Sequence, residues 1–333
     1  MNVAIALGED DIVAAIAAIA GRERGRILLG IGDDAAVWQP SRSARSVITT
    51  DALIENVHFS RATMSMEEIG WRAMAANLSD IAAMGARPVL ATIALGIPVR
   101  DAAGVRDLYR GLVASAESSG CAIAGGDLTR APVLTLAITV VGEVRPSNLK
   151  TRAGALPGDV LAVTGPLGAS RAGLALLQSR ITLDGASATE ALKAYRTPSP
   201  RIAEGRWFGA SRNVHAMMDC SDGLSTDLAR LCASSSVGAR ITAIPIAASA
   251  VAAAERLGDD SVAFALAGGE DFELLVSIDA RAFGHLEKLY RKRFRRPLEA
   301  IGTVQPDERL VLVKNGREEP LPRTGWDHFE DER

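Results

Sequence analysis

The chain has 333 residues, 48% hydrophobic and 23% charged, with a formal net charge of −3 from 37 Lys+Arg against 40 Asp+Glu. At roughly 100 to 200 residues per domain this length predicts two domains, and the composition excludes a disordered chain or a fibre. The slight negative charge gives no global attraction to nucleic acid, and the longest apolar runs, 89–97 and 134–141, fall short of the roughly 18 residues that span a bilayer.

The first residues show neither a basic leader nor a long apolar core, so the expected compartment is the cytoplasm. Acids at 9–11 precede Ile12, Ile16 and Ile19, whose spacing predicts an amphipathic helix over 9–20. The two glycines in 27–34 predict a mobile loop, and 45–50 reads as a strand running into Asp51. Ser65-x-x-Glu68 is a capping box before an apolar helix ending near Gly85 and Pro88. Strands are expected at 90–95, 121–124 and 133–142, with a helix at 105–119. Turn formers over 145–158 put the domain boundary there, giving domains 1–148 and 149–333. In the second domain, strands are expected at 160–164, 214–218 and 272–278. Helices are expected around 174–178 and at 224–234, with a basic helix near 281–296 whose Leu289, Tyr290 and Phe294 face the core. Cys121, Cys220 and Cys232 are widely spaced, which reads as free thiols rather than disulfides or a zinc site.

Acids recur where an apolar element meets Gly, Ser, Thr or Asn: Gly32-Asp33-Asp34, Thr49-Thr50-Asp51, Asn77-Leu-Ser-Asp80, Gly125-Gly126-Asp127, Asp219-Cys-Ser221-Asp222 and Gly269-Glu270-Asp-Phe-Glu273. Carboxylates gathered without partners repel, so such a set calls for cations. Magnesium suits it, because it takes hard oxygen ligands and is usually held by a few carboxylates plus substrate phosphates. Each acid also has a plainer reading. Asp222 could N-cap the helix that follows, Asp33 could be a turn acid, and Asp51 and Asp127 could be ordinary acids at strand ends. No P-loop, dinucleotide fingerprint, nucleophile elbow or histidine metal spacing occurs.

Taken in order, Gly30-Ile-Gly-Asp-Asp-Ala-Ala-Val37, Thr50-Asp-Ala-Leu-Ile-Glu-Asn-Val-His-Phe59, Ala76-Asn-Leu-Ser-Asp-Ile-Ala-Ala-Met-Gly-Ala86, Gly125-Gly-Asp-Leu-Thr-Arg130, Asp219-Cys-Ser-Asp-Gly-Leu224, Gly269-Glu-Asp-Phe-Glu-Leu-Leu275 and Trp326-Asp-His-Phe329 closely resemble the thiamine-monophosphate kinase family, within the aminoimidazole ribonucleotide synthetase superfamily. The resemblance implies a mixed α+β fold of two αβ domains, the N-terminal one dimerising through its sheet. It also implies ATP-dependent phosphorylation of thiamine monophosphate to thiamine diphosphate, with several Mg2+ ions and a homodimer. Carried over by position, Asp34, Thr49, Thr50, Asp51, Asp80, Asp127, Asp219 and Asp222 correspond to magnesium ligands, with Asp51, Asp127 and Asp219 central to catalysis. Gly126, Asp127, Arg152 and Ser221 correspond to ATP contacts, and His58, Glu270 and Trp326 to substrate contacts. Two alternatives stay open: another ATP-using enzyme of the superfamily, or a non-catalytic Mg-ATP-binding regulator.

Overall fold

The computed structural model describes residues 8–20, 26–31 and 34–325. Gly32, Asp33 and Trp326, with the rest of the 326–329 signature, lie outside the described residues. The chain forms two compact units, Met1–Ile81 with Arg87–Pro146 and Ala82–Ala86 with Ser147–Arg333.

In the first unit α1 (Glu9–Ala20), β1 (Ile27–Leu29) and β2 (Val37–Trp38) precede β3 (Arg45–Ile54), α2 (Met66–Ala83), β4 (Arg87–Ile97), α3 (Val105–Ser118), β5 (Ala122–Arg130) and β6 (Thr135–Val144). The loop expected over 27–34 begins instead as a strand, because Ile27 and Leu29 pair antiparallel with Trp38 and Val37. This partner is too short to signal itself in sequence. β3 to β6 make a four-stranded mixed sheet in the order β3-β6-β4-β5, with only β4 and β5 parallel. Burial alternates along β3: Val47, Thr49, Asp51 and Leu53 are covered, while Ile48, Thr50 and Ala52 are exposed. Period-2 geometry therefore gives the strand one helix-covered and one open face.

The capping box of α2 forms as the sequence implies, with Ser65 N–H donating to Glu68 Oε2 at 2.8 Å and Glu68 N–H to Ser65 Oγ at 3.2 Å. Behind it α2 and α3 cross in backbone contact. A Cβ on Gly111 would stand 1.9 Å from the Glu67 carbonyl oxygen, so only glycine permits the crossing. Ile69, Leu78, Ile81, Ile93, Leu108, Leu112 and Ile138 are buried in this unit.

The second unit contains β7 (Val160–Val163), α4 (Ala169–Leu177), α5 (Gly185–Arg196), α6 (Ile202–Gly209), β8 (Val214–Asp219), α7 (Leu224–Ser235) and β9 (Gly238–Ile241). These are followed by α8 (Ala248–Leu257), α9 (Ser261–Leu266), β10 (Leu274–Ile278), α10 (Ala280–Phe294), β11 (Glu299–Gln305), β12 (Leu310–Lys314) and β13 (Arg317–Pro320). The seven strands form one sheet, β13-β12-β9-β11-β7-β10-β8, antiparallel except for the β12–β9 pair. Its core gathers Leu161, Val163, Met218, Leu228, Leu231, Ile241, Leu275 and Ile301. On α10 the buried residues are Leu286 and Tyr290, whereas Leu289, expected in the core, is 41% exposed. The helix is rotated so that Tyr290 stacks on Phe208, and the Phe208–Tyr290 contact decides which stripe is inward. All three cysteines are free and buried. No helix among the described residues is long and apolar enough to cross a membrane.

Candidate active site

The first unit carries one group of sequence-predicted oxygen ligands on the helix-covered side of β3. Thr49 and Asp51 are two residues apart on one strand and so share a face. Thr49 Oγ1 donates to Asp80 Oδ2 at 2.5 Å, which brings the α2 carboxylate to that face. Asn77, one helical turn before Asp80, is fully buried. Its Oδ1 accepts the Asp51 N–H at 3.0 Å while its Nδ2 donates to the Ala73 carbonyl at 3.0 Å. The i, i+3 spacing of Asn77 and Asp80 thus ties both side chains to β3. Thr50 belongs to the other face, where its hydroxyl meets Thr139 Oγ1 at 2.8 Å. The alternation of consecutive β residues keeps its hydroxyl off the Thr49–Asp51 side.

Asp51 and Asp127, expected at strand ends, both lie inside strands, β3 and β5. Hydrogen bonding continues beyond each acid because the partner strand continues. The sheet order also separates them. One cross-sheet row runs Asp51–Ile138–Ile93–Gly126, with β3 and β5 at opposite edges. Three inter-strand spacings of about 4.8 Å put Asp51 about 14 Å from Gly126, beyond what two carboxylates of one chain can bridge through a single magnesium ion with bonds of about 2.1 Å. Gly126 packs so tightly on β4 that a Cβ would stand 1.9 Å from the Ile93 carbonyl oxygen. That contact leaves Gly126 and Asp127 on an exposed backbone edge. Asp34 is exposed before β2.

After β3 the chain makes a tight turn, with Asn56 at φ 66° and its N–H donating to the Phe59 carbonyl at 2.8 Å. His58 Nδ1 accepts the Ile54 N–H at 3.1 Å, an arrangement that places the ring proton on Nε2.

In the second unit the predicted residues lie on two loops sewn together by backbone. Cys220 N–H donates to the Glu273 carbonyl at 2.7 Å, Phe272 N–H to the Cys220 carbonyl at 2.9 Å and Glu270 N–H to the Ser221 carbonyl at 2.7 Å. The β8–β10 pairing therefore continues past both strand ends and sets Glu270 beside Ser221. Asp222 does not cap α7; the N-cap is Gly223 and makes no side-chain cap. Instead Asp227, fully buried within α7, turns Oδ2 back onto three successive amides, Ser221, Asp222 and Gly223, at 3.0, 3.1 and 3.1 Å. Burial, followed by the charge of Asp222, pushes the Asp227 carboxyl up to about 7. Asp222 pairs with Arg230, which also reaches Asp227 Oδ1 at 3.2 Å. Nothing in the spacing of D-x-x-D-G announces this role of Asp227. It becomes visible only when the loop folds back over the first turn.

Arg152 is exposed on a segment pinned by Ser235, whose hydroxyl donates to the Arg152 carbonyl at 2.9 Å and accepts the Gly154 and Ala155 N–H groups at 3.1 Å each. Below the 269–273 loop, Glu273 is buried in a bidentate pair with Arg201, at 2.9 and 2.6 Å, and also meets Arg296 and Thr164 Oγ1, each at 2.5 Å. Although burial raises its pKa, the two guanidinium groups hold the Glu273 carboxyl below the usual range. Asp219, at the end of the edge strand β8, is buried.

Residues 32–144 match the AIR synthase related protein, N-terminal domain, and residues 157–315 match its C-terminal domain. The thiamine-monophosphate kinase of Synechococcus elongatus is 39% identical over 306 residues, covering 90% of this chain and 91% of its own. The chain belongs to the thiamine-monophosphate kinase family. The Escherichia coli K12 enzyme of this family is 34% identical, with 98% of this chain and 99% of that one aligned. The crystal structure of the Stenotrophomonas maltophilia thiamine-monophosphate kinase superposes with a TM-score of 0.80 at 34% identity, covering 93% of this chain and 96% of that one. A family structure described as "AaThiL complexed with AMPPCP and TMP" gives a TM-score of 0.76 at 29% identity, with 97% of both chains covered. The mixed αβ fold of two domains expected from sequence is therefore the fold of the family.

Proposed function

We propose that the protein transfers the terminal phosphoryl group of ATP to thiamine monophosphate, giving thiamine diphosphate and ADP. The observation that carries this reading is the likeness to thiamine-monophosphate kinases at 34–39% identity along 90–98% of the chain. The donor chemistry agrees with it. The Thr49, Asp51 and Asp80 group, the Asp127 edge and the Asp219–Asp222 loop offer oxygen donors throughout, which fits magnesium rather than a soft metal. Asp34, Thr49, Thr50, Asp51, Asp80, Asp127, Asp219 and Asp222 would hold such ions. The row separating Asp51 from Asp127 favours several ions rather than one. Bound magnesium neutralises phosphate charge and stabilises the charge that develops during transfer.

The protein's own groups then align two anions. Arg152 offers a planar cation to the ATP phosphates, Ser221 its hydroxyl, and Gly126 close backbone approach. An acceptor phosphate is already ionised at neutral pH, so transfer requires alignment and charge neutralisation rather than a dedicated base. His58, fixed with Nε2–H outward from its Nδ1 bond, donates to the acceptor. Glu270 and Trp326 suit a thiazolium ring, the first by charge and the second by its π-face. We also assign a homodimer, supported by the open sheet face where Ile48 is 67% exposed, and a cytoplasmic location. Light scattering tests the dimer against twice the 34.9 kDa chain mass.

The deciding experiment supplies purified protein with Mg-ATP and thiamine monophosphate, follows ADP release, and resolves the thiamine products by chromatography. Equal amounts of ADP and thiamine diphosphate, abolished by EDTA, are expected. ATP binding without diphosphate formation would move the protein to another activity of the superfamily or to a nucleotide-binding regulator.

A further inference from the structure

The loop 269–273 holds two non-glycine residues in the left-handed region, Glu270 at φ 64° and Phe272 at φ 51°. Such a residue is strained and persists only where its surroundings over-determine it. Three attachments do so here. The Glu270 and Phe272 amides donate to the Ser221 and Cys220 carbonyls, and the Phe272 side chain is buried. The third attachment is Asp271, between the strained pair, whose carboxylate accepts the Gly168 N–H at 2.6 Å and the Ser170 N–H at 3.2 Å where α4 begins. Asp271 is thus the side chain that fastens the strained loop to a rigid helix, and residue 270 gains its direction from that fastening.

We propose that Asp271 is a positioning residue for the acceptor: it fixes the Glu270 carboxylate where the cationic ring of thiamine monophosphate binds. The inference rests on the reading above that Glu270 meets the acceptor. Asn at 271 keeps the shape and one acceptor oxygen but turns an NH2 group toward the second amide, so it loosens the fastening without emptying the space.

The test is a double-mutant cycle of Asp271→Asn and Glu270→Gln, with KM measured separately for thiamine monophosphate and for ATP. Asp271→Asn should raise the acceptor KM on the order of tenfold and leave the ATP KM within about twofold. In the Glu270→Gln background that increase should vanish, because the residue it acts through has lost its charge. Asp271→Ser should give the same pattern with a different local volume. Equal increases in both KM values, or an Asp271→Asn effect undiminished in the Glu270→Gln background, overturns the proposal. If neither Asp271 variant folds, the residue is only a structural cap and the proposal fails as well. An unchanged acceptor KM in Glu270→Gln alone removes the assigned contact and the positioning role with it. A wild-type protein that forms no thiamine diphosphate overturns the activity itself, and this is read before any variant.

Discussion

The two units hold most of their acids by different means. In the first, Thr49, Asp51 and Asp127 stand on strands whose register fixes them, and Asp80 on a helix bonded to β3 through Asn77 and Thr49. In the second, Ser221, Asp222 and Glu270 stand on loops, and two further carboxylates hold those loops by gathering their own or neighbouring amides. A strand places a ligand with backbone pairing that no side chain needs to supply. A loop has no such ladder, so its orphan amides need an acceptor. Substitution should therefore separate chemistry from stability in the first unit and couple them in the second.

The largest effect should come from Asp51→Asn, with kcat lowered on the order of 100-fold and the melting temperature changed by no more than about 2 °C. Steady-state assays at saturating magnesium with a thermal melt check this; a large loss of stability would erase the contrast between the units. Next, Asp227→Ala should lower unfolding stability by on the order of 3 kcal/mol, because three amides lose their acceptor inside the fold. Denaturant titration reads it, and a near-neutral result would show that water replaces the carboxylate.

A smaller effect is expected from Arg152→Ala, since only its side chain faces outward while its backbone stays pinned by Ser235. The ATP KM should rise about tenfold with the melt unchanged. The last prediction concerns pH. Desolvation pushes the Asp271 carboxyl up to about 7, against bonds from Gly168 and Ser170 that lower it. The folded state thus retains its proton where the unfolded chain, near pH 4, has lost it. Its contribution to stability is full below about pH 4 and is lost as pH rises to about 7, by on the order of 1 kcal/mol per unit. Asp271→Asn should make the stability curve less negative in slope by that amount across this window. Parallel curves for the two proteins would place the carboxyl at an ordinary pKa.

Much of this was legible in sequence. The Ser65-x-x-Glu68 box, the strand into Asp51 and the basic amphipathic helix rest on local signals, and local signals survive folding. The short strands β1 and β2 were not legible, because three residues carry no measurable period. Helices α5, α8 and α9 also escaped, being alanine-rich segments whose apolar faces emerge only against one another.

The acids themselves were determined by the sequence: their number, their placement beside glycine, serine and threonine, and the family that this order resembles. Only the tertiary structure decided how they are arranged. Sheet order put two strands between those of Asp51 and Asp127, and the folding back of two loops enlisted Asp227 and Asp271. The reason is physical. Residue type and spacing specify what a local segment can do, but which amides lack a partner, and which strand lies beside which, are settled when distant segments pack.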